Sequence, residues 1–251
     1  MIKEKRLKKI QEYVNEHQSA SLDELVTVFN VSKNTIRRDV QELVDRGELK
    51  KVYGGVSVVQ SKLESFQVRQ VRNQDRKELI AKKAASYVED GDFIFIDSGT
   101  TTIEMLEYLK DKQVTVFTNN IDFIVDSLPY EKINVITIGG MLERKTKSFV
   151  NPRNMDLLKD YNIKKAFMAS TGISLTNGVT NASPLESELK KIVVNRSAEV
   201  YLLVDHDKFD KYGLMTYCGF DEIDYIVTDA LPNETYQEYA KKNGIQLVMA
   251  D

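Results

Sequence analysis

The sequence predicts an α/β chain in two parts: a small N-terminal module of three helices and a hairpin, then a larger unit of alternating helices and strands. Three observations carry this. The length of 251 residues favours two domains and permits sizeable cores. From Asp75 onward, short buried strand-like runs alternate with helical patterns, as in a mostly parallel sheet covered by helices. The stretch Phe29 to Gly47, FNVSKNTIRRDVQELVDRG, reads as a turn followed by an amphipathic helix whose open face is polar and basic. The predicted divisions are a module over 1–57, a polar linker over 58–74 and an α/β unit over 75–251.

In the module, Lys3 to Glu16 predicts a first helix, with Leu7, Ile10 and Val14 on one face. His17 to Ala20 reads as a loop. Ser21-Leu-Asp-Glu24 is a capping box, in which the Ser21 hydroxyl and the Glu24 carboxylate each take a backbone N–H. It opens a short second helix with Leu22, Leu25, Val26 and Phe29 facing inward. Asn30 and Val31 make a tight link, and Ser32 is an N-cap for the third helix. Ile36, Val40 and Leu43 fall at i, i+4 and i+7. Lys33, Asn34, Arg37, Arg38 and Gln41 are left on the open face. Arg and Lys pair with guanine or phosphate, Asn and Gln with adenine, so these types suit a DNA major groove. Gly47 is expected to end the helix in a left-handed conformation. Glu48 to Val59 then reads as two strands around Gly54-Gly55, a wing carrying Lys50, Lys51 and Tyr53. The candidate DNA contacts are Ser32, Lys33, Asn34, Thr35, Arg37, Arg38, Gln41, Lys50, Lys51 and Tyr53.

Composition narrows the function. Hydrophobic content of 42% and charged content of 29% fit a soluble globular chain. The formal net charge of -3 means that any affinity for nucleic acid arises from local clusters of Lys and Arg. Cys218 is the only cysteine, which excludes an internal disulfide and a cysteine-rich zinc site. His17 and His206, the only histidines, do not suggest a His-rich metal site, and neither a metal nor a cofactor is expected. No apolar run is long enough to span a membrane. The N-terminal MIKEKRLKKI lacks the core of a signal peptide, so a cytoplasmic location is expected.

The α/β part opens with a helix marked by Ile80, Ala81, Ala84, Ala85 and Val88 and ended by Asp90-Gly91. Strands are predicted over 93–97, 114–117, 135–138, 166–169, 200–204, 225–227 and 246–249, with helices over 102–109, 121–128, 185–196 and 234–242. Parallel sheets bind ligands beyond the C-terminal ends of their strands. Polar residues and glycines collect at those ends. Asp97, Ser98, Gly99, Thr100, Thr101 and Thr102 follow the first strand; Thr118, Asn119 and Asn120 the second; Gly139 and Gly140 the third. Ser170-Thr171-Gly172 follows the fourth, and Asp205 to Lys208 the fifth. Gly99 permits close backbone approach, hydroxyls donate, a helix start favours an anion and Lys208 adds full positive charge. A small polar anion is the expected ligand.

Ser32-Lys-Asn-Thr-Ile-Arg-Arg-Asp39, Leu43, Gly47 and Tyr53-Gly-Gly55 resemble the DNA-binding module of DeoR-family bacterial regulators. Lys77-x-x-Ile80-Ala81, Asp97-Ser-Gly-Thr-Thr101, Thr118-Asn119, Gly139-Gly140, Gly178-Val-Thr180 and Asp205-His-Asp-Lys-Phe209 are similar to that family's sensor domain. The resemblance covers nearly the whole chain. It implies a winged helix-turn-helix joined to an α/β sensor related to ribose-5-phosphate isomerase and coenzyme A transferases. It further implies repression of a sugar-catabolic operon, relieved by a phosphorylated sugar. By position, Asp97 to Thr101, Thr118-Asn119, Gly139-Gly140 and Lys208 inherit the ligand role. The sequence departs from the family at Asn151-Pro152, where many members carry a small glycine. The competing expectation is a sugar-phosphate isomerase carrying a helical module. It would need a poised carboxylate base such as Asp97 or Asp205, and Glu143 is not a convincing substitute for the isomerases' catalytic Glu. The expected partners are operator DNA, a phosphorylated sugar and further copies of the chain, in a homodimer or homotetramer.

Overall fold

The computed structural model describes residues 3–17, 19–46, 48–52, 54–58, 65–151, 158 and 160–251. Gly47, Tyr53 and Pro152 lie outside these. The chain forms two compact units, 1–61 and 62–251.

The first unit contains α1 (Lys3–His17), β1 (Ser19–Ser21), α2 (Leu22–Phe29), α3 (Lys33–Asp45), β2 (Leu49–Val52) and β3 (Gly55–Val58). Leu7, Ile10 and Val14 of α1, Leu25 of α2 and Ile36, Val40 and Leu43 of α3 are buried together with Leu49 and Val56. Full burial of such a side chain contributes roughly 1.5–3 kcal/mol. The Ser21 capping box forms: Glu24 N donates to Ser21 Oγ at 3.1 Å and Ser21 N to Glu24 Oε2 at 3.2 Å. Asn30 closes α2 in a left-handed conformation, φ 49°. Where the sequence suggested a loop at 17–20, Ser19–Ser21 instead adds a third strand, paired antiparallel with β3. Three residues are too few to show a strand period. The close approach explains Gly55, since a Cβ there would lie 2.2 Å from Ala20 O. Arg6 grips the buried Asp39 carboxylate with two hydrogen bonds, at 2.6 and 3.2 Å, and so ties α1 to α3.

The second unit runs α4 (Phe66–Val71), α5 (Gln74–Ala85), β4 (Phe93–Ile96), a 3-10 turn (Thr102–Met105) leading into α6 (Leu106–Leu109), β5 (Val114–Thr118), α7 (Ile121–Asp126) and β6 (Ile133–Thr137). It continues with β7 (Met141–Glu143), β8 (Ser148–Val150), β9 (Ile163–Ala169), β10 (Gly172–Ser174), β11 (Gly178–Asn181), α8 (Pro184–Arg196) and β12 (Ser197–Leu203). β13 (Met215–Cys218), β14 (Tyr225–Thr228), α9 (Glu234–Asn243) and β15 (Gln246–Met249) complete it. Seven strands make one sheet in the order β15-β14-β12-β9-β4-β5-β6. Every neighbouring pair in it is parallel. Its faces carry separate cores: Phe95 of β4 packs into one, Ile94 and Ile96 into the other. Burial on both sides is why these strands read as continuous apolar runs.

From Ser65, the stretch predicted as linker is structured. Phe66 of α4 is 1% exposed and joins the core around Ile80 and Ile94. A six-residue helix shows too little of the helical period to be read from sequence. The same brevity hid two small antiparallel sheets, the β7–β8 arm and β10-β11-β13.

Candidate functional site

In the first unit, α3 turns its apolar stripe inward and leaves Lys33, Asn34, Arg37, Arg38 and Gln41 exposed. Lys50 and Lys51 on β2 are exposed as well. Ser32 and Thr35 serve the helix start: Thr35 N donates to Ser32 Oγ at 3.2 Å, and the two hydroxyls share a bond of 2.9 Å. Lys33 pairs with Asp23 at 2.5 Å, and Gln41 donates to Asp45 at 2.8 Å. Such exposed contacts are worth little and exchange readily for a phosphate or base. Among the described residues, Arg37 and Arg38 take part in no ion pair.

In the second unit, the chain runs outward from β4 to β5 and β6, then returns to β9 beside β4 and builds the other way. The loops after β4 and β9 therefore part at the strands' C-terminal ends, the place where open parallel sheets hold ligands. A small solvent-open cleft lies there, lined by Arg69, Ser98, Gly99, Thr146, Ala169, Ser170, Thr171, Asn181, Glu186 and Lys190. Of the predicted ligand residues, Ser98 and Gly99 line it.

Several of the others are engaged in building its floor. Asp97 is fully buried, and its Oδ2 accepts from Lys190 Nζ at 2.5 Å and from Ala169 N at 2.9 Å. Its Oδ1 accepts from Ser98 N at 2.9 Å. The Gly99 N–H, expected to face an anion, donates to Thr102 Oγ1 at 3.0 Å, and Thr102 in turn donates to Asp97 O at 2.6 Å. Glycine is needed at 99 because a Cβ there would meet Ala169 Cβ at 2.3 Å. Thr118 donates to Ile96 O at 2.7 Å, and Asn120 caps α7 by accepting from Asp122 N and Phe123 N. Asn119 donates to Phe149 O at 3.3 Å. Gly139 and Gly140, with φ of 62° and 117°, carry the chain from β6 into β7. A Cβ at Gly140 would lie 2.8 Å from Asn151 Cβ, so the departure at Asn151 packs against this turn. Thr100 and Thr101 are buried in the loop after Gly99.

The cleft also contains groups that the sequence reading did not single out. Glu186, 3% exposed, is a buried carboxylate at the start of α8. Its Oε1 accepts from Ser148 Oγ at 2.6 Å and Ser98 Oγ at 3.1 Å, and its Oε2 from Asn181 Nδ2 at 2.9 Å. Lys190 lies one turn further on the same helix. The Ser183-x-x-Glu186 capping pattern was the available signal for both. Burial and the nearby Glu186 push the Glu143 carboxyl upward, and Ser183 Oγ donates to it at 2.8 Å.

Cations gather around Arg69. Lys77 is 3% exposed and donates to the carbonyls of Arg69 and Gln70. Burial pushes its ammonium down to about 8, with Lys208 and Arg69 adding repulsion and Asp205 opposing. Lys208 is likewise lowered, first by burial and then by Arg69, Lys211 and Arg72, while Asp205 raises it. Asp205 Oδ2 accepts from Asn73 at 3.3 Å, and its buried Oδ1 has no hydrogen-bond partner among the described residues. No group of His, Cys, Asp and Glu among the described residues could hold a metal ion, and no helix of those residues is long and apolar enough to cross a membrane.

Comparison with known proteins accounts for both units. Residues 6–62 match the DeoR-like helix-turn-helix domain, and residues 72–230 match the DeoR C terminal sensor domain. The chain is 45% identical over 247 residues to the HTH-type transcriptional regulator IolR of Bacillus subtilis, covering 98% of each. It is 32% identical to the lactose phosphotransferase system repressor of Staphylococcus epidermidis, covering 91% of this chain and 93% of that one. It is 28% identical to the HTH-type transcriptional repressor GlcR of B. subtilis, covering 100% and 98%. The solved ribose 5-phosphate isomerase of Methanocaldococcus jannaschii overlaps 55% of each chain at 20% identity, with a TM-score of 0.40. The isomerase alternative is set aside on the relatives' identity as regulators, and Asp97, held by Lys190 and two backbone N–H groups, is not placed as a free base. The chain belongs to the DeoR family and is a DNA-binding transcriptional regulator, not an enzyme.

Proposed function

We propose that the chain represses a sugar-utilisation operon and leaves its operator when a phosphorylated sugar binds in the cleft between the loops after β4 and β9. The observation that carries this is a cleft lined by Arg69, Lys190, hydroxyls, an amide and a carboxylate, with Lys77 donating to the Arg69 carbonyl and Lys208 near enough to Arg69 to be repelled by it. Lys208 faces Arg69, Lys211 and Arg72 against Asp205, and a phosphate arriving there relieves that repulsion. The hydroxyls and amide suit the sugar. The relatives named as repressors, one of a lactose phosphotransferase system, support the same reading. Ser98, Thr100 and Thr101 supply hydroxyls, while Asp97 acts by fixing Lys190. Binding must differ between the DNA-competent and incompetent forms for the sugar to shift the equilibrium.

The test is operator binding in the presence of glucose 6-phosphate, fructose 6-phosphate, ribose 5-phosphate and related esters, with calorimetry on each. Lys208→Ala should bind the operator nearly as wild type does. It should need at least about tenfold more of the releasing ester, a loss of about 1.4 kcal/mol. Thr100→Val should behave the same way more mildly. If Lys208→Ala responds at the wild-type concentration, the proposed site is refuted.

A further inference from the structure

Glu186 is a buried carboxylate on the wall of a solvent-open cleft, and it is held there by side chains from three different elements. Ser98 comes from the loop after β4, Ser148 from the β7–β8 arm and Asn181 from β11. An ionised carboxylate offers about four lone-pair sites. Two of its three acceptances are from serine hydroxyls, the same chemical group that a sugar presents. A sugar hydroxyl can therefore replace a serine hydroxyl at Glu186 with no polar atom left unpaired, provided the serine finds another partner. Ser148 has one at hand, because its Oγ already lies 2.7 Å from Thr146 Oγ1. Ser170 Oγ, also on the cleft wall, is buried and has no partner among the described residues.

Ser148 is well placed to report such an exchange. It lies at the start of β8 and bridges to Asn120, while Phe149 N donates to Asn119 O at 2.8 Å. Ile121 N donates to Lys147 O at 2.9 Å. The arm's turn also touches α4: Phe66 N donates to Lys145 O at 3.1 Å, and Lys147 Nζ sits 5.1 Å from the centre of the Phe66 ring. Phe66 is close to where this unit begins in the chain, at Lys62. Contacts at Glu186 thus connect through the arm to the first helix of the sensor unit.

We propose that Glu186 reads the hydroxyls of the effector, and that it does so in exchange for the Ser148 hydroxyl, which ties effector binding to the position of the β7–β8 arm. This rests on the sugar-phosphate reading above and assigns the two ends of the ligand. The phosphate lies toward Arg69, Lys77 and Lys208, because a phosphate beside Glu186 is repelled. The hydroxyls lie toward Glu186 and Asn181. A site built to pair with a hydroxyl discriminates strongly against ligands that lack it.

The test uses the 251-residue chain and two variants, with calorimetry against the panel of sugar phosphates and against inorganic phosphate. Glu186→Gln keeps the shape and exchanges one acceptor for a donor. It should lower affinity for the releasing sugar phosphate at least tenfold and change affinity for inorganic phosphate less than twofold. The retained phosphate binding also reports an intact fold. Ser148→Ala removes the competing hydroxyl. It should bind the sugar phosphate about twofold to tenfold more tightly, the range of one net hydrogen bond, yet require more of it to leave the operator. A structural role alone would weaken both ligands together in Glu186→Gln and would weaken the sugar phosphate in Ser148→Ala, and either result overturns the proposal. If no ester in the panel binds the wild-type chain, the sugar-phosphate reading fails first; if wild type binds and the two variants match it, this inference fails alone.

Discussion

At the scale of single residues, the exposed face of α3 and the proposed effector cleft make separate demands on charge. Arg37 and Arg38 are exposed on α3 and spend nothing on neighbouring carboxylates. Arg37→Ala and Arg38→Ala should each weaken operator binding. Loss of a base contact costs roughly 1–3 kcal/mol and relaxes specificity at one position, whereas loss of a phosphate contact weakens all sequences alike and lowers the salt slope. Mobility-shift titrations at two salt concentrations separate these outcomes, and wild-type affinity in both variants would remove α3 as the reading helix. Beside Arg69, Lys77 is held near 8 by burial. An arriving phosphate favours the charged ammonium and raises that pKa toward its ordinary value, so near pH 8 binding should take up protons. Phosphate esters are already fully ionised at that pH. Calorimetry in buffers of different ionisation enthalpy should show net uptake at pH 8 that disappears at pH 6.5, where Lys77 is already charged, and in Lys77→Met. Net release at pH 8 would place the phosphate away from Lys77.

At the scale of elements, a buried ion pair ties α1 to α3. Asp39 is 2% exposed and accepts both hydrogen bonds from Arg6, whose guanidinium it holds above the usual range. The Arg6 side chain is only 12% exposed. Removing one partner of such a pair leaves the other poorly solvated. Asp39→Ala should destabilise the first unit by about 1–3 kcal/mol in urea unfolding and lower operator affinity, although Asp39 is itself buried. An unchanged urea midpoint would show that the pair contributes nothing to holding α3. The elements most legible in sequence were those with a full period, such as α1, α3 and the seven parallel strands. β1, β7, β8 and β10 are three residues each, and no alternation can be read from so short a run.

At the scale of the whole molecule, the expectation is a dimer or tetramer. A single helix-turn-helix contacts one half-site, and joining two raises affinity through effective concentration. Sedimentation velocity should show a dimer or larger species at micromolar chain concentration, with operators carrying repeated half-sites. A monomer both free and on DNA would contradict it.

The sequence by itself determined the helix-turn-helix, its capping box, the exposed basic face of α3 and the alternation that makes a parallel sheet. Each is a local matter: spacing decides which residues share a face, and a cap needs only its own first turn. It also placed candidate ligand residues at the C-terminal ends of the strands. Only the tertiary structure decided which of them remain available. Asp97 was expected to meet a sugar but is enclosed by Lys190, which follows it by 93 positions in the chain. Gly99 was expected to admit a ligand; it lines the cleft, and its missing side chain also makes room for Ala169 of the neighbouring strand. Glu186, by contrast, reads in sequence as an ordinary first-turn acid of a helix. Its setting depends on the reversal of strand order between β4 and β9, which brings Ser98, Ser148 and Asn181 to one carboxylate. Strand order is fixed by which buried faces pack best across the whole sheet, and no local pattern encodes it.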